Sequence, residues 1–255
     1  MYQLYFTILY QPILNFFVAL YNYLPGHDIG LVILILTLVV RLVLYPLTKS
    51  SIKSQKALQD LQPKMEEIKK QYAKDQQKQA QALMELYKNN KVNPLSSCLP
   101  ILIQLPILIA LYSVMRNGLV LTDLSKDLYS FVFNPGQLNA ISLGYFNMAK
   151  PNVVLAILAG AAQFWQAKTL SRKMPPKKAG EGAKDEGMAA MMNKQMLYMM
   201  PAMTVIIGMS LPAGLTLYWF FSTLFTAIQQ VWMFKQHDEK KDSGVIEGQI
   251  VDEKK

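Results

Sequence analysis

A single arginine lies inside the first long apolar run of this sequence, and it is the only charged residue in that run. Between Gly30 and Arg41, every residue except Thr37 is apolar. An arginine near the middle of a spanning helix costs roughly 2.5 to 3.5 kcal/mol on insertion scales, so the position requires a polar environment or an escape to the headgroups. The chemistry that such a cation offers is the attraction of negatively charged groups.

Other polar residues lie at a matching depth in the later apolar runs. Counted from the end of each run nearest the basic segments, Arg41, Gln104, Gln163 and Thr226 all lie roughly 10 to 12 Å inside. Two stripes at helical spacing accompany them, namely Thr37, Arg41, Tyr45 and Thr48, and Thr216, Trp219, Thr223, Thr226 and Gln230. Facing one another around water, these groups would form a hydrophilic pocket. Two alternatives stay open, which are snorkelling of Arg41 to the headgroups and hydrogen bonding between helices without a pocket.

Catalytic and metal chemistry find few suitable residues here. His27 and His237 both lie outside the apolar runs, and no aspartate or glutamate lies inside one. The apolar runs therefore lack the histidines and carboxylates that an intramembrane serine protease, a histidine metal site or a proton relay would need. Cys98 is the single cysteine, so an internal disulfide or a thiolate cluster is excluded. We therefore expect neither an enzyme nor a cofactor.

Apolar runs long enough to cross a hydrocarbon layer of about 30 Å predict the elements that carry these groups. Five runs meet that length, and they cover residues 29–48, 96–116, 151–169, 195–211 and 213–234. The chain is 52% hydrophobic, yet its mean hydropathy is only +0.17, because charged segments alternate with apolar ones. This alternation is typical of a polytopic membrane protein, so we predict an all-α fold with five transmembrane helices.

Residues 1–28 hold a further apolar stretch, which differs from the five runs because it contains several polar residues. Gln3, Gln11, Asn15 and Asn22 interrupt it, and a proline lies near its middle. This pattern favours an amphipathic helix lying in the outer membrane interface over a sixth span.

Lysine and arginine concentrate in three segments that separate or follow the spans. Of 26 such residues, ten lie in residues 49–95, seven in 168–195 and five in 235–255. Positive charge marks the cytoplasmic side, so we predict an outside amino terminus, a cytoplasmic loop 170–194 and a disordered cytoplasmic tail 235–255. Topology thus explains most of the formal charge of +9, and no basic-aromatic pattern indicates nucleic-acid recognition.

The segment 49–95 has the periodicity of two helices that pair antiparallel. Seam residues recur at spacings of three and four in two groups. They are Leu58, Leu61, Met65, Ile68 and Tyr72 in the first group, and Gln76, Ala80, Leu83 and Tyr87 in the second. We predict a cytoplasmic helical hairpin, kinked at Pro63, that receives substrate chains or docks partners. The alternative is a solvated connector.

Three stretches in order carry a family resemblance that extends over about residues 2–234. They read VVRLVLYPLTKSSIKSQKALQDLQPKMEEIKKQY, NPLSSCLPILIQLPILIALYSV and LPAGLTLYWFFSTLFTAIQQ. These motifs are similar to the core of the YidC/Oxa1/Alb3 membrane-protein insertases, in the short bacterial YidC form. The resemblance implies five spans, a cytoplasmic hairpin, and a groove that is open to cytoplasm and lipid but closed outward. It also implies that Arg41 lines the groove, and that the third and fifth spans, with Gln163 and Trp219, contact entering substrate helices.

From this resemblance we expect insertion of membrane proteins into a bacterial plasma (inner) membrane without ATP hydrolysis. The expected substrate groove comprises Thr37, Arg41, Gln104, Gln163, Trp219, Thr223 and Thr226. Expected partners are nascent membrane proteins and the lipid bilayer, and further candidates are the Sec translocon, the signal recognition particle pathway and the ribosome. Two other functions stay open, which are a folding chaperone acting only beside the translocon and a small-solute channel.

Overall fold

The computed structural model describes residues 2–93, 99–120, 124–171 and 195–242. Cys98, most of the predicted loop 170–194 and the end of the predicted tail, from residue 243, lie outside these residues.

Helices make up most of the described chain. They are α1 (Tyr2–Tyr5), α2 (Gln11–Tyr23), α3 (Ile29–Val43), α4 (Tyr45–Gln71), α5 (Gln76–Asn89), α6 (Leu99–Val120), α7 (Val153–Ser171), α8 (Met200–Gly208) and α9 (Ala213–Asp242). The π-helical stretches Phe6–Tyr10 and Gln195–Met199 precede α2 and α8, and a 3₁₀ turn, Pro25–His27, precedes α3. The prediction of an all-α fold misses one feature, an antiparallel pair of short strands, β1 (Ile141–Ser142) and β2 (Phe146–Asn147).

Two of the described helices are long and apolar enough to cross a membrane, by length and composition. They are Gln3–Tyr23 and Val153–Leu170. The α3–α4 pair is a third candidate if it counts as one bent span. Two apolar helices within the described chain are shorter, Leu102–Gly118 and Leu197–Gly208. The described residues therefore form a mostly helical membrane protein with two to three candidate spans, and the number five remains a prediction.

The predicted span 29–48 is interrupted, which corrects its boundary. α3 ends at Val43, and α4 leaves at an angle of 68° after Leu44. The cause is Pro46 at the start of α4, since a proline has no N–H to continue the helix and its ring displaces the preceding turn. By contrast α4 runs without a break through Pro63, which is exposed. The sharp bend between α3 and α4 therefore occurs at Leu44, and Pro63 does not end α4.

The apolar core lies between α2, α3, α6 and α9. Its most deeply buried large side chains include Leu14, Phe17, Ile33, Leu36, Leu111 and Tyr218. α7 and α8 approach closely beside it, because a Cβ at Gly208 would lie only 3.1 Å from the Cβ of Ala156. This packing sets α3, α6 and α9 side by side, which positions the polar residues discussed below.

The polar residues of the amino-terminal helix bind the segment 124–150. The Asn15 side chain donates to Asp127 O at 3.0 Å and accepts from Tyr129 N at 2.6 Å. Further along the helix, Asn22 donates to Phe133 O at 2.7 Å. Gln3–Tyr23 is long and apolar enough to span a membrane, so the interfacial placement of this helix stays a prediction.

Asp28 fastens the beginning of α3 to the strand pair. Its carboxylate accepts from Leu31 N at 3.0 Å, Ser142 Oγ at 2.7 Å and Leu143 N at 2.6 Å. Burial alone would raise the pKa of Asp28, but the hydrogen bonds from Leu143, Ser142 and Leu31 stabilise the anion and hold the pKa below its usual value.

Residues 235–242 of the predicted disordered tail are helical, because α9 continues to Asp242. The last turns of α9 are held to α4 by the ion pair between Lys56 and Asp238 and by the contact between His237 and Asp60. A composition rich in charges indicated disorder, but these charges have partners that are distant in the sequence.

Candidate functional site

Arg41 reaches across from α3 to α9. Its Nη2 donates a hydrogen bond to Ser222 Oγ, while its Nε is buried without a hydrogen-bond partner. Among the described residues, no carboxylate forms an ion pair with this guanidinium. Arg41 is thus a half-buried cation with an unused donor and no counter-ion.

Tyr218 extends this contact to a third helix. Its side chain is 1% exposed, and its hydroxyl accepts from Gln104 Nε2 of α6 at 2.7 Å. Tyr218 also interacts with Arg41 and Ser222. We call Arg41, Gln104, Tyr218 and Ser222 the arginine network. It brings together α3, α6 and α9 at one level.

The other residues that we predicted to line the groove lie outside the hydrogen bonds of the arginine network. The Thr37 hydroxyl donates to Ile33 O at 2.6 Å, and the Thr226 hydroxyl donates to Ser222 O at 2.9 Å. Both side chains are buried, so their donors are satisfied by their own helices. Thr223 is buried as well, while Trp219 and Gln163 are half-buried. Within the described chain, the hydrogen bonds of the arginine network join only Arg41 and Gln104 of the predicted set.

Sequence reasoning missed Tyr218 and Ser222. They form their own pair at a spacing of four, one residue away from the predicted pair Trp219 and Thr223. One residue rotates a helix face by about 100°, and α9 carries polar residues on more than one face. The spacing could have indicated a second stripe, but only the packing of α9 against α3 identifies which stripe faces Arg41.

A second polar cluster joins the base of α4 to the end of α9. Lys56 is 3% exposed, and its Nζ lies 2.9 Å from Asp238 Oδ1 and 3.8 Å from Asp60 Oδ1. His237 Nε2 lies 3.3 Å from Asp60 Oδ2. Gln59 of the same stretch donates to Leu170 O of α7 at 2.7 Å. The base of α4 is therefore part of the packed core and is separate from the arm beyond it.

The arm beyond this base consists of the rest of α4 together with α5. Tyr87 Oη lies 3.7 Å from Met65 Sδ, and Gln79 Nε2 donates to Lys69 O at 3.3 Å. The other predicted seam residues divide into three groups. Leu61 is buried at the base, Gln76 and Ala80 are exposed, and the half-buried ones are Leu58, Ile68, Tyr72 and Leu83. The inward face of α5 begins at Gln79, which is a correction to the predicted seam.

Replacing Asp238 by asparagine should lower the free energy of unfolding by about 1 to 2 kcal/mol, because the nearly buried Lys56 keeps only the longer contact to Asp60. Thermal unfolding in detergent, followed by circular dichroism, measures this change. Lys235→Ala is the matched control, since Lys235 and Glu239 form an exposed pair on the same turns and its loss should change stability by less than about 0.5 kcal/mol. Equal stability of both variants with the parent would show that the cluster does not hold α9 to α4.

A family model described as 60Kd inner membrane protein matches residues 17–241. The chain is 37% identical over 209 residues to the membrane protein insertase YidC of Fusobacterium nucleatum, covering 82% of this chain and 87% of the relative. It is 37% identical over 217 residues to that of Oceanobacillus iheyensis, covering 83% and 77%. The YidC of Campylobacter jejuni is 33% identical over 243 residues, which are 94% of this chain but 40% of that longer protein.

Proposed function

Because this chain belongs to the YidC family of 60Kd inner membrane proteins, we propose that it inserts membrane proteins into the lipid bilayer and assists their folding. The relatives are named membrane protein insertases, and the sequence motifs around Arg41 agree with that name. The substrates are newly made membrane proteins. The site of action is a bacterial inner membrane, with the amino terminus outside and the carboxyl terminus in the cytoplasm.

The arginine network is the observation that carries this proposal. Arg41 has a donor that no described residue uses, and it lacks a counter-ion. A guanidinium in such a place attracts carboxylates and binds carbonyl oxygens of a peptide that enters beside it. The polar tail of a substrate thereby exchanges part of its hydration for contacts with Arg41, which shortens the apolar path that it must cross.

The apolar faces of α7 and α9 supply the route for the hydrophobic segment of the substrate. On α7 the side chains of Ile157, Leu158 and Trp165 are exposed, and on α9 those of Ile228 and Trp232. A hydrophobic segment can move along these surfaces while it leaves water for lipid. The free energy of its burial drives insertion, so no ATP is required.

The arm formed by α4 and α5 receives the substrate before it reaches the groove. Its surface beyond the seam carries lysine and glutamine, and Met84 is exposed near its end. Basic charge keeps such an arm near anionic headgroups and near the acidic or polar parts of a nascent chain. The ribosome, the signal recognition particle pathway and the Sec translocon are candidate partners at this surface.

Reconstitution of the purified protein into liposomes tests this function. We expect a single-spanning substrate synthesised in the presence of these vesicles to become protected from protease without any translocon or ATP. A requirement for the translocon would instead indicate a folding chaperone, and ion flux without substrate would indicate a channel. Vesicles without protein serve as the control for spontaneous insertion.

A further inference from the structure

Large apolar side chains point into the surroundings at the β1–β2 end of the molecule, away from the arm. The exposed fractions are 88% for Tyr23, 82% for Phe131, 77% for Phe133, 73% for Leu143 and 89% for Tyr145. We call these five residues the apolar rim. Its members come from the end of α2 and from the segment 124–150, which joins α6 to α7.

The backbone beneath the rim is held in place, so the exposure of these side chains is a feature of the fold. Asn22 donates to Phe133 O, and Leu143 N donates to Asp28 Oδ2 at 2.6 Å. The tip of the strand pair is a tight turn, with positive φ at both Leu143 and Gly144, and Tyr145 N donates to Ser142 O. Leu143 and Tyr145 thus lie in the tight turn that joins β1 to β2, and both side chains are exposed.

The same segment already packs a full set of apolar residues into the core. Leu124, Leu138 and Met148 are nearly completely buried there. The segment is thus apolar on its inner side, while its outer side carries the large apolar residues of the rim among exposed polar ones such as Lys126 and Gln137. Large apolar side chains on the outer side are stable when a medium other than water covers them.

The location of the rim indicates what that medium is. The segment 124–139 lies along the amino-terminal helix and is hydrogen-bonded to Asn15, Tyr21 and Asn22. Leu143 of the rim is hydrogen-bonded to Asp28, which precedes α3. α6 ends and α7 begins within the same region, so several apolar helices have their termini here. Tyrosine rings concentrate at membrane interfaces, and phenylalanine and leucine side chains bury at the boundary between headgroups and acyl chains.

We propose that the apolar rim is a lipid-binding surface, which inserts into the interfacial layer of the bilayer and anchors the β1–β2 end of the protein at a defined depth. The ligand class is phospholipid, bound through its glycerol and first acyl carbons. In this position the rings of Phe133 and Tyr145 lie between the headgroups and the hydrocarbon. Asp28 and Asn22 act only through the backbone that they hold.

Single-cysteine variants in a Cys98→Ser background test this proposal. Phe133→Cys and Tyr145→Cys are labelled with an environment-sensitive fluorophore, and the protein is reconstituted into phosphatidylethanolamine and phosphatidylglycerol vesicles. Met84→Cys is the matched control, because Met84 is also apolar and 67% exposed but lies on the arm. Quenching is measured with aqueous iodide and with a phospholipid that carries a nitroxide near its glycerol.

We expect the labels at positions 133 and 145 to show roughly half or less of the iodide quenching of the label at 84, together with strong quenching by the nitroxide lipid. Iodide quenching equal to that at position 84 would overturn the proposal. If protection of these labels from iodide disappears when the protein is diluted in excess lipid, the proposal is overturned, and a second copy of the chain covers the rim instead. Protection found in native membranes but not in these vesicles would overturn it in favour of another protein.

Discussion

Arg41→Glu should abolish the translocation of acidic substrate tails, whereas Arg41→Lys should retain part of the activity. In a site of reduced dielectric, the attraction between a cation and a carboxylate amounts to about one to a few kcal/mol, which corresponds to about a 10- to 100-fold change in tail translocation. Lysine keeps the charge but loses the planar set of donors that reaches Ser222. Glutamate reverses the sign and repels the tail.

The change in tail translocation is measured as protease protection of the tail, for each variant at matched protein levels. Substrates whose tails are neutralised by Asp→Asn changes are the first control, and they should be much less sensitive to the charge at position 41. The double variant Arg41→Ala with Leu42→Arg is the second. Leu42 is 71% exposed, so this variant keeps a cation at the same depth but on the outer face of α3, and it should not restore activity. Efficient translocation of acidic tails by Arg41→Glu would favour snorkelling of Arg41 over a role in binding.

Removal of the outer arm should impair substrate delivery while the core stays assembled. The structure shows where to cut, because the base of α4 up to Leu61 is buried against α7 and α9 through Lys56 and Gln59. Met65 and Tyr87 contact each other across the arm. A deletion of residues 66–86, closed by a linker of about four glycine and serine residues with a reach of roughly 13 Å, therefore leaves the base intact.

We expect thermal unfolding of this variant to resemble that of the parent and insertion into vesicles to fall at least about fivefold, since the arm has its own seam and contributes few core contacts. In a second variant, a glycine and serine sequence of equal length replaces residues 66–86. It distinguishes the effect of the helical structure of the arm on insertion from the effect of its length. Normal insertion by both variants would reduce the arm to a connector. A large loss of thermal stability would show instead that the arm supports the core.

The helical segments, and the position of Arg41 inside one of them, could be predicted because they depend on local properties. An apolar run of sufficient length is helical in a membrane whatever it packs against, since lipid offers no partner for its backbone groups. A lone cation in such a run is conspicuous for the same reason. Pro46 could also have predicted a break in the helix near Leu44. A proline indicates where a helix can break, but it does not give the angle of the bend.

The partners of these residues could not be read from local patterns. Arg41 and Ser222 are 181 positions apart, and the choice of Ser222 and Tyr218 over Thr223 and Trp219 depends on the rotation of α9 about its own axis. Close packing of Gly214 beside Met115 and Ile33 restricts that rotation, and this contact involves three different helices. Lys56 and Asp238 likewise belong to segments that local composition describes as solvated. Hydrophobicity and periodicity thus decided which segments are helices and where a charge is costly. The packing of distant helices decided which polar groups meet. The reason is that a hydrogen bond requires both partners within about 3 Å, whereas periodicity constrains only one helix at a time.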